Sequence, residues 1–95
     1  MPWICVTTGP DLPDEAARAL SRKVAAAAAV ALDLVPDDVV VLVSPAGAVS
    51  GPGAMVSLAG RRRDEAAESA LASAVRAEVA ETLGLDPGLV AVSRL

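Results

Sequence analysis

Pro2, directly behind the initiator methionine, is the residue of this chain whose position most invites chemistry. Loss of Met1 would turn the proline nitrogen from an amide into a secondary amine, a cyclic base held at the head of the apolar run "WICVTT". A free α-amine titrates near ~8; an apolar setting or nearby fixed cations disfavour its protonated form and lower that value. Such a group can serve as a general base near neutral pH. Read as structure alone, Pro2 is a strand start, where a residue without a backbone N–H is tolerated.

Few other groups compete for a chemical role. The chain has one cysteine, Cys5, and no histidine, so an internal disulfide is excluded and no imidazole exists to activate the thiol. Cys5 reads as a buried strand residue in a protein of a reducing compartment, which points to the cytoplasm. One Cys and no His also leave little from which to build a transition-metal site, and no cofactor is implied. The net charge of −4 argues against nucleic acid, which selects a basic face. No basic segment followed by an apolar one marks a secretory leader, and the longest apolar stretch, Val24 to Leu32, is too short to span a membrane.

The elements that must position Pro2 emerge from an internal repeat. "DEAARALSRKVAAAAAVALDLVPDDVVVLV" and "DEAAESALASAVRAEVAETLGLDPGLVAVS" track each other at a spacing of about fifty residues, with Leu20 near Leu71, Val24 near Val75 and Pro36 near Pro87. Ala-rich composition inflates such matches, but aligned prolines and a shared order of elements are not composition effects. Repeat one covers about residues 2–44, a turn-rich connection "SPAGAVSGPG" about 45–53, and repeat two about 54–95. All 95 residues form one domain.

Each repeat reads as strand, helix, strand. Trp3 to Thr8 is the first strand, and a Gly9-Pro10 break leads to a helix opened by Pro13, with Asp14 and Glu15 favourably placed at its positive end. Ala17, Leu20, Val24, Ala28 and Ala31 form its apolar stripe, Pro36 forbids its continuation, and Val39 to Val43 is the next strand. In the second repeat Ala54 to Leu58 is a strand, Asp64 and Glu65 start a helix striped by Leu71, Val75 and Val79, and Gly84 suits its end. Leu89 to Val92 is the last strand. The fold class is therefore α+β, a tandem βαβ repeat with a four-stranded mixed sheet and two helices on one face.

Val39 to Val43 is apolar without alternation, the pattern of a strand buried on both faces. Two helices cover one face only. Apolar residues make up 54% of the chain, yet Trp3 is its only aromatic residue, so a lone chain of this size builds a modest core. Further copies packed sheet to sheet around a symmetry axis are the expected cover for the second face.

A tandem βαβ repeat, an apolar sheet face awaiting partners and "MP" at the head of the chain together resemble the tautomerase superfamily, which includes 4-oxalocrotonate tautomerase (4-OT), malonate semialdehyde decarboxylase and macrophage migration inhibitory factor. Nearly the whole chain takes part, and its two-repeat layout resembles the trimeric branch rather than the one-repeat hexamers. The resemblance implies a cofactor-independent keto-enol proton transfer on a small 2-oxo or enol carboxylate, with Pro2 as base. "GAMVSLAG" looks like the third strand of the migration inhibitory factor group. "GRRRDEAAE" resembles the stretch where decarboxylase and dehalogenase members carry paired arginines, and Arg63 and Arg61 match those two positions, with Arg62 pointing elsewhere. Forked guanidinium groups there would hold a carboxylate and stabilise enolate charge.

The chain departs from the family pattern at several points. Leu34 stands where the migration inhibitory factor group has a pocket lysine, and Leu12 where 4-OT has its loop arginine. A C-terminal tail beyond the fourth strand is missing relative to longer relatives. These departures motivate an alternative, a non-catalytic assembly or binding subunit in which Arg61 to Arg63 form a solvated cluster. A ferredoxin-like βαβ module is a weaker third reading, set apart by its strand order. The expected assembly is a homotrimer with the pocket near Pro2 at a subunit boundary.

Overall fold

The computed structural model describes residues Met1–Leu95 and contains six principal elements: β1 (Trp3–Thr8), α1 (Asp14–Leu32), β2 (Val40–Pro45), β3 (Ala54–Ala59), α2 (Glu65–Leu83) and β4 (Val90–Arg94). Single 3₁₀ turns, Pro36–Asp38 and Pro87–Leu89, lead into β2 and β4. The sheet order is β2-β1-β3-β4. β1 runs parallel to β2 and β3 parallel to β4, as helical crossovers demand, while β1 and β3 meet antiparallel at the centre. This is the tandem βαβ arrangement and mixed sheet read from the sequence.

The helix ends are local chemistry. Asp64 caps α2, its carboxylate accepting from the Ala67 N–H at 2.8 Å, and Gly84 closes it in the left-handed region. At the equivalent end of α1 the left-handed position is held by Asp33, one of the few non-glycine types that tolerate it. Pro13 stands one step ahead of the first helical turn of α1 rather than inside it. The buried stripe is Leu20, Val24, Ala28 and Ala29, so Ala29 rather than Ala31 completes it.

Two strand boundaries differ from the sequence reading. β2 begins at Val40, because Val39 closes the 3₁₀ turn and is buried there; β4 spans Val90–Arg94, because Leu89 is still within its own turn. A proline four residues before β2 and three before β4 favours that turn, and an apolar pattern alone does not separate a turn residue from a strand residue.

Ile4, Val6, Val56 and Leu58 project from the sheet onto Leu20, Val24, Leu71, Val75 and Val79, forming the core. Partner positions in the sheet share a face, so the opposite face carries Val40, Leu42 and Ser44 from β2, Trp3, Cys5 and Thr7 from β1, Met55, Ser57 and Ala59 from β3, and Ala91 and Ser93 from β4. No charged side chain stands on it. Cys5, read as buried, is exposed in the single chain on this face. The strand β2 lies at the sheet edge, and Leu42 is 50% exposed there, so its apolar run is only half covered within the chain. Neither helix is long and apolar enough to cross a membrane.

The two repeats superpose less simply than their sequences suggest. Helices and second strands coincide at a shift of 51 residues, as in Leu20/Leu71 and Val39/Val90. The sheet pairs Ala54 with Val90, whereas Trp3 pairs with Val40, which puts Pro2 beside Val39. Ala54, not Gly53, therefore occupies the place of Pro2 in the second repeat. The first strands thus correspond at a shift of 52, one more than the helices, and this keeps the core-facing Ile4 and Val6 in phase with Val56 and Leu58.

Candidate functional site

Pro2 ends up buried at the head of the central strand β1, its carbonyl accepting from the Val40 N–H at 3.0 Å. The rigid ring is thus fixed by sheet pairing on one side. On its other side the chain turns from β3 into α2 through Gly60, Arg61, Arg62 and Arg63. Gly60 adopts φ +109, and a Cβ built on it would lie 2.7 Å from the Met1 carbonyl oxygen and 3.4 Å from the Pro2 Cα. Only glycine permits both this backbone and this close approach.

The residues singled out from sequence come together here. A narrow cleft is lined by Pro2, Trp3, Arg61, Arg63, Glu68 and Arg94. Beside it a depression of about 190 Å³ is bounded by Met1, Pro2, Leu34, Asp38 and Arg63. Arg63 belongs to both. Arg62 lines neither, as the spacing implied, and is exposed. The side chains of Arg61 and Arg63 make no ion pair and donate no hydrogen bond within the chain, so both guanidinium forks are free to receive an anion.

Three residues of this region were missed by the sequence reading. Glu68 and Arg94 form the single ion pair of the chain, with Nε to Oε1 at 2.8 Å. Arg94 also donates from Nη1 to the carbonyls of Leu58 (3.2 Å) and Leu95 (2.9 Å), and from Nη2 to that of Gly60 (2.8 Å). The hydrogen bond from Arg94 holds the Glu68 carboxyl below the usual carboxylate range, helped by the Arg63 backbone N–H and opposed by partial burial. Asp38 is the third, brought to the mouth of the depression by the 3₁₀ turn before β2. Nothing in the sequence pairs Glu68 with Arg94; a charged residue on the core-facing phase of β4 is the one signal.

At the opposite end of the molecule the second repeat offers the counterpart of this site without its chemistry. A more open depression of about 330 Å³ is lined by Thr8, Pro10, Leu12, Val49, Leu83 and Leu85, among others. At the shift of 51 residues, Leu12 stands for Arg63, Leu85 for Leu34 and Leu89 for Asp38. Ala54 takes the place of Pro2 and, lying within the chain, carries no free amine.

Gly60 provides a direct test of how tightly Pro2 is held. The substitution Gly60→Ala is expected to cost about 1–3 kcal/mol through its backbone conformation. It should cost more when Met1 is present, because the overlap with the Met1 carbonyl then adds to that strain. Urea titrations of both N-terminal forms measure the difference; an equal cost in the two would show that the contact does not constrain Pro2.

No family model matches the chain, nor does any of the curated proteins. Solved structures do. Pt0534, in a crystal structure of the protein inactivated by 2-oxo-3-pentynoate, superposes with a TM-score of 0.86 at 22% identity, over 98% of this chain and 83% of that one. A fused 4-OT, described as a wild-type symmetric trimer, gives 0.82 at 19% identity, over 98% and 83%. Macrophage migration inhibitory factor from Giardia lamblia gives 0.82 at 16% identity, over 99% and 97%. The chain therefore has the fold of the 4-OT and migration inhibitory factor structures.

Proposed function

We propose that the chain is a tautomerase of the superfamily whose fold it shares, a cytoplasmic, cofactor-independent enzyme acting on a small 2-oxo or enol carboxylate. One observation carries this reading: a buried Pro2 at the strand head faces two unpaired guanidinium groups. Once Met1 is removed, the Pro2 nitrogen takes a proton from the enol hydroxyl or the carbon next to the carbonyl and returns it to the alternative position. Arg63 and Arg61 fork onto the substrate carboxylate and stabilise charge developing on the enolate oxygen. Their positive field disfavours the protonated amine, while Asp38 supplies a counter-charge to the ammonium formed during transfer.

The assembly proposed is a homotrimer, since the uncharged sheet face demands a cover and the structurally similar fused 4-OT forms trimers. Its sheets would close into an inner barrel with six helices outside, and Pro2 would lie near a subunit boundary. The second repeat lacks the chemistry, so a trimer holds three sites, one per chain.

The test is ketonisation of phenylenolpyruvate by protein with a free Pro2, together with exposure to 2-oxo-3-pentynoate, the compound that inactivates Pt0534. Turnover and one adduct per chain, on Pro2, are expected. A trimer with a free Pro2, no turnover and no adduct would support the alternative of a non-catalytic assembly subunit. Leu34 is the observation behind that alternative, because it lines the depression across from Arg63 and leaves that side without a cation.

A further inference from the structure

The loop that carries Arg61 and Arg63 has little of its own to hold it. Gly60, Arg61 and Arg62 are exposed, and no apolar side chain in this stretch anchors it to the core. It is tied down from outside. Arg94 Nη2 donates to the Gly60 carbonyl at 2.8 Å, and Glu68 Oε1 accepts from the Arg63 N–H at 3.4 Å, so the two ends of the loop hang on the two partners of one ion pair. That pair is itself short, at 2.8 Å, and its side chains are only 17% and 16% exposed. Arg94 places four of its five N–H groups, on Glu68 and on three backbone carbonyls.

The first repeat lacks this arrangement. At the shift of 51 residues Ala17 stands for Glu68 and Val43 for Arg94, and the loop they would hold carries Leu12 in place of Arg63. The ion pair occurs in the half of the molecule whose loop bears arginines.

We propose that Glu68 and Arg94 are positioning residues, a charged clamp that fixes the Arg61–Arg63 loop beside Pro2 and keeps its guanidinium groups free for a substrate carboxylate. The second part follows from charge. Glu68 lies in the same cleft as Arg61 and Arg63, and an uncompensated carboxylate there would draw one of them into an ion pair and occupy the anion site from within. Arg94 takes up that carboxylate with a fixed fork, which a lysine's point charge does not reproduce. The role in substrate binding rests on the proposed tautomerase reading, whereas the clamp itself does not.

Two measurements on the trimmed protein separate them. Amide hydrogen exchange at residues 60–63 without ligand is expected to quicken by about tenfold or more in Arg94→Met and in Glu68→Gln, in keeping with the loss of charge-assisted hydrogen bonds, while Leu71 and Val75 exchange as before. In steady-state kinetics the KM for a carboxylate substrate should rise by about tenfold, and kcat should fall as well but by less, since the base is untouched while the arginines that steady the enolate are loosened. Arg94→Met should raise KM more than Glu68→Gln, because it alone leaves a free carboxylate in the cleft. Arg94→Lys should recover less than half of the loss.

Unchanged exchange at 60–63, or quickened exchange spread evenly over the whole chain, overturns the clamp. Localised loosening with an unaltered KM overturns its role in binding. If no variant and no wild-type protein turns over substrate, the tautomerase reading fails, and exchange still decides the clamp.

Discussion

Protein that keeps Met1 is expected to lose about 10²–10⁴-fold in kcat/KM against protein in which Pro2 is the first residue, the typical contribution of a general base. The difference is one amide bond. With Met1 in place the nitrogen lone pair is delocalised into the Met1 carbonyl and takes no proton near neutral pH; with Met1 gone it is a secondary amine in a buried, cation-flanked setting. The Met1 acyl group is also bonded to the nitrogen itself, so its presence blocks the approach of a substrate to that atom as well as quenching the base. Intact mass identifies each form, and parallel assays at the same pH compare them. Equal activity in the two forms would dismiss Pro2 as base. Pro2→Ala, which retains an amine of lower basicity after trimming, should fall between the two.

Leu42→Asp is expected to convert the assembly to monomers at micromolar concentration. The open sheet face presents eleven side chains from four strands and none is charged; Leu42, Trp3 and Met55 are its largest exposed members. Each apolar side chain left in water forgoes roughly 1.5–3 kcal/mol relative to burial, against a total stability of only about 5–15 kcal/mol for a domain. An aspartate on that surface is solvated in the monomer and unpaired in the closed assembly, where desolvation costs several kcal/mol. Light scattering and sedimentation report the mass, and the chain should remain folded, because residue 42 lies on the open face of the sheet and outside the helix-packed core. A wild-type monomer in solution would refute the need for cover. An intact assembly in the Leu42→Asp variant would show that copies meet elsewhere.

The fold was legible because two signals agreed: helix stripes of period near four and prolines repeated at one spacing. Pro2 drew attention by its place behind Met1, and Arg61 and Arg63 by the family resemblance; that the three line one cleft follows from the strand and helix junctions at which they lie. Glu68 and Arg94 were not, as 26 residues separate them and their meeting depends on how α2 lies across β4. Asp38 was hidden by a short turn, and Val39 was assigned to a strand because nothing in an unbroken apolar run marks where pairing begins. The offset of the repeats was hidden too. The sequence pattern aligned the halves at about fifty, whereas only the register of the sheet reveals that the first strands obey a different shift from the helices and second strands.

Trp3 has an optical consequence. It is the only aromatic residue of the chain, it follows Pro2 directly, it lines the cleft with Arg61 and Arg63, and it stands 47% exposed on the open sheet face. Every photon emitted on excitation at the red edge of protein absorbance therefore originates from one indole whose surroundings change when copies pack against it. Its emission maximum shifts to the blue as water leaves, and soluble quenchers lose access in step. A dilution series in a fluorimeter thus reads subunit affinity from unlabelled protein.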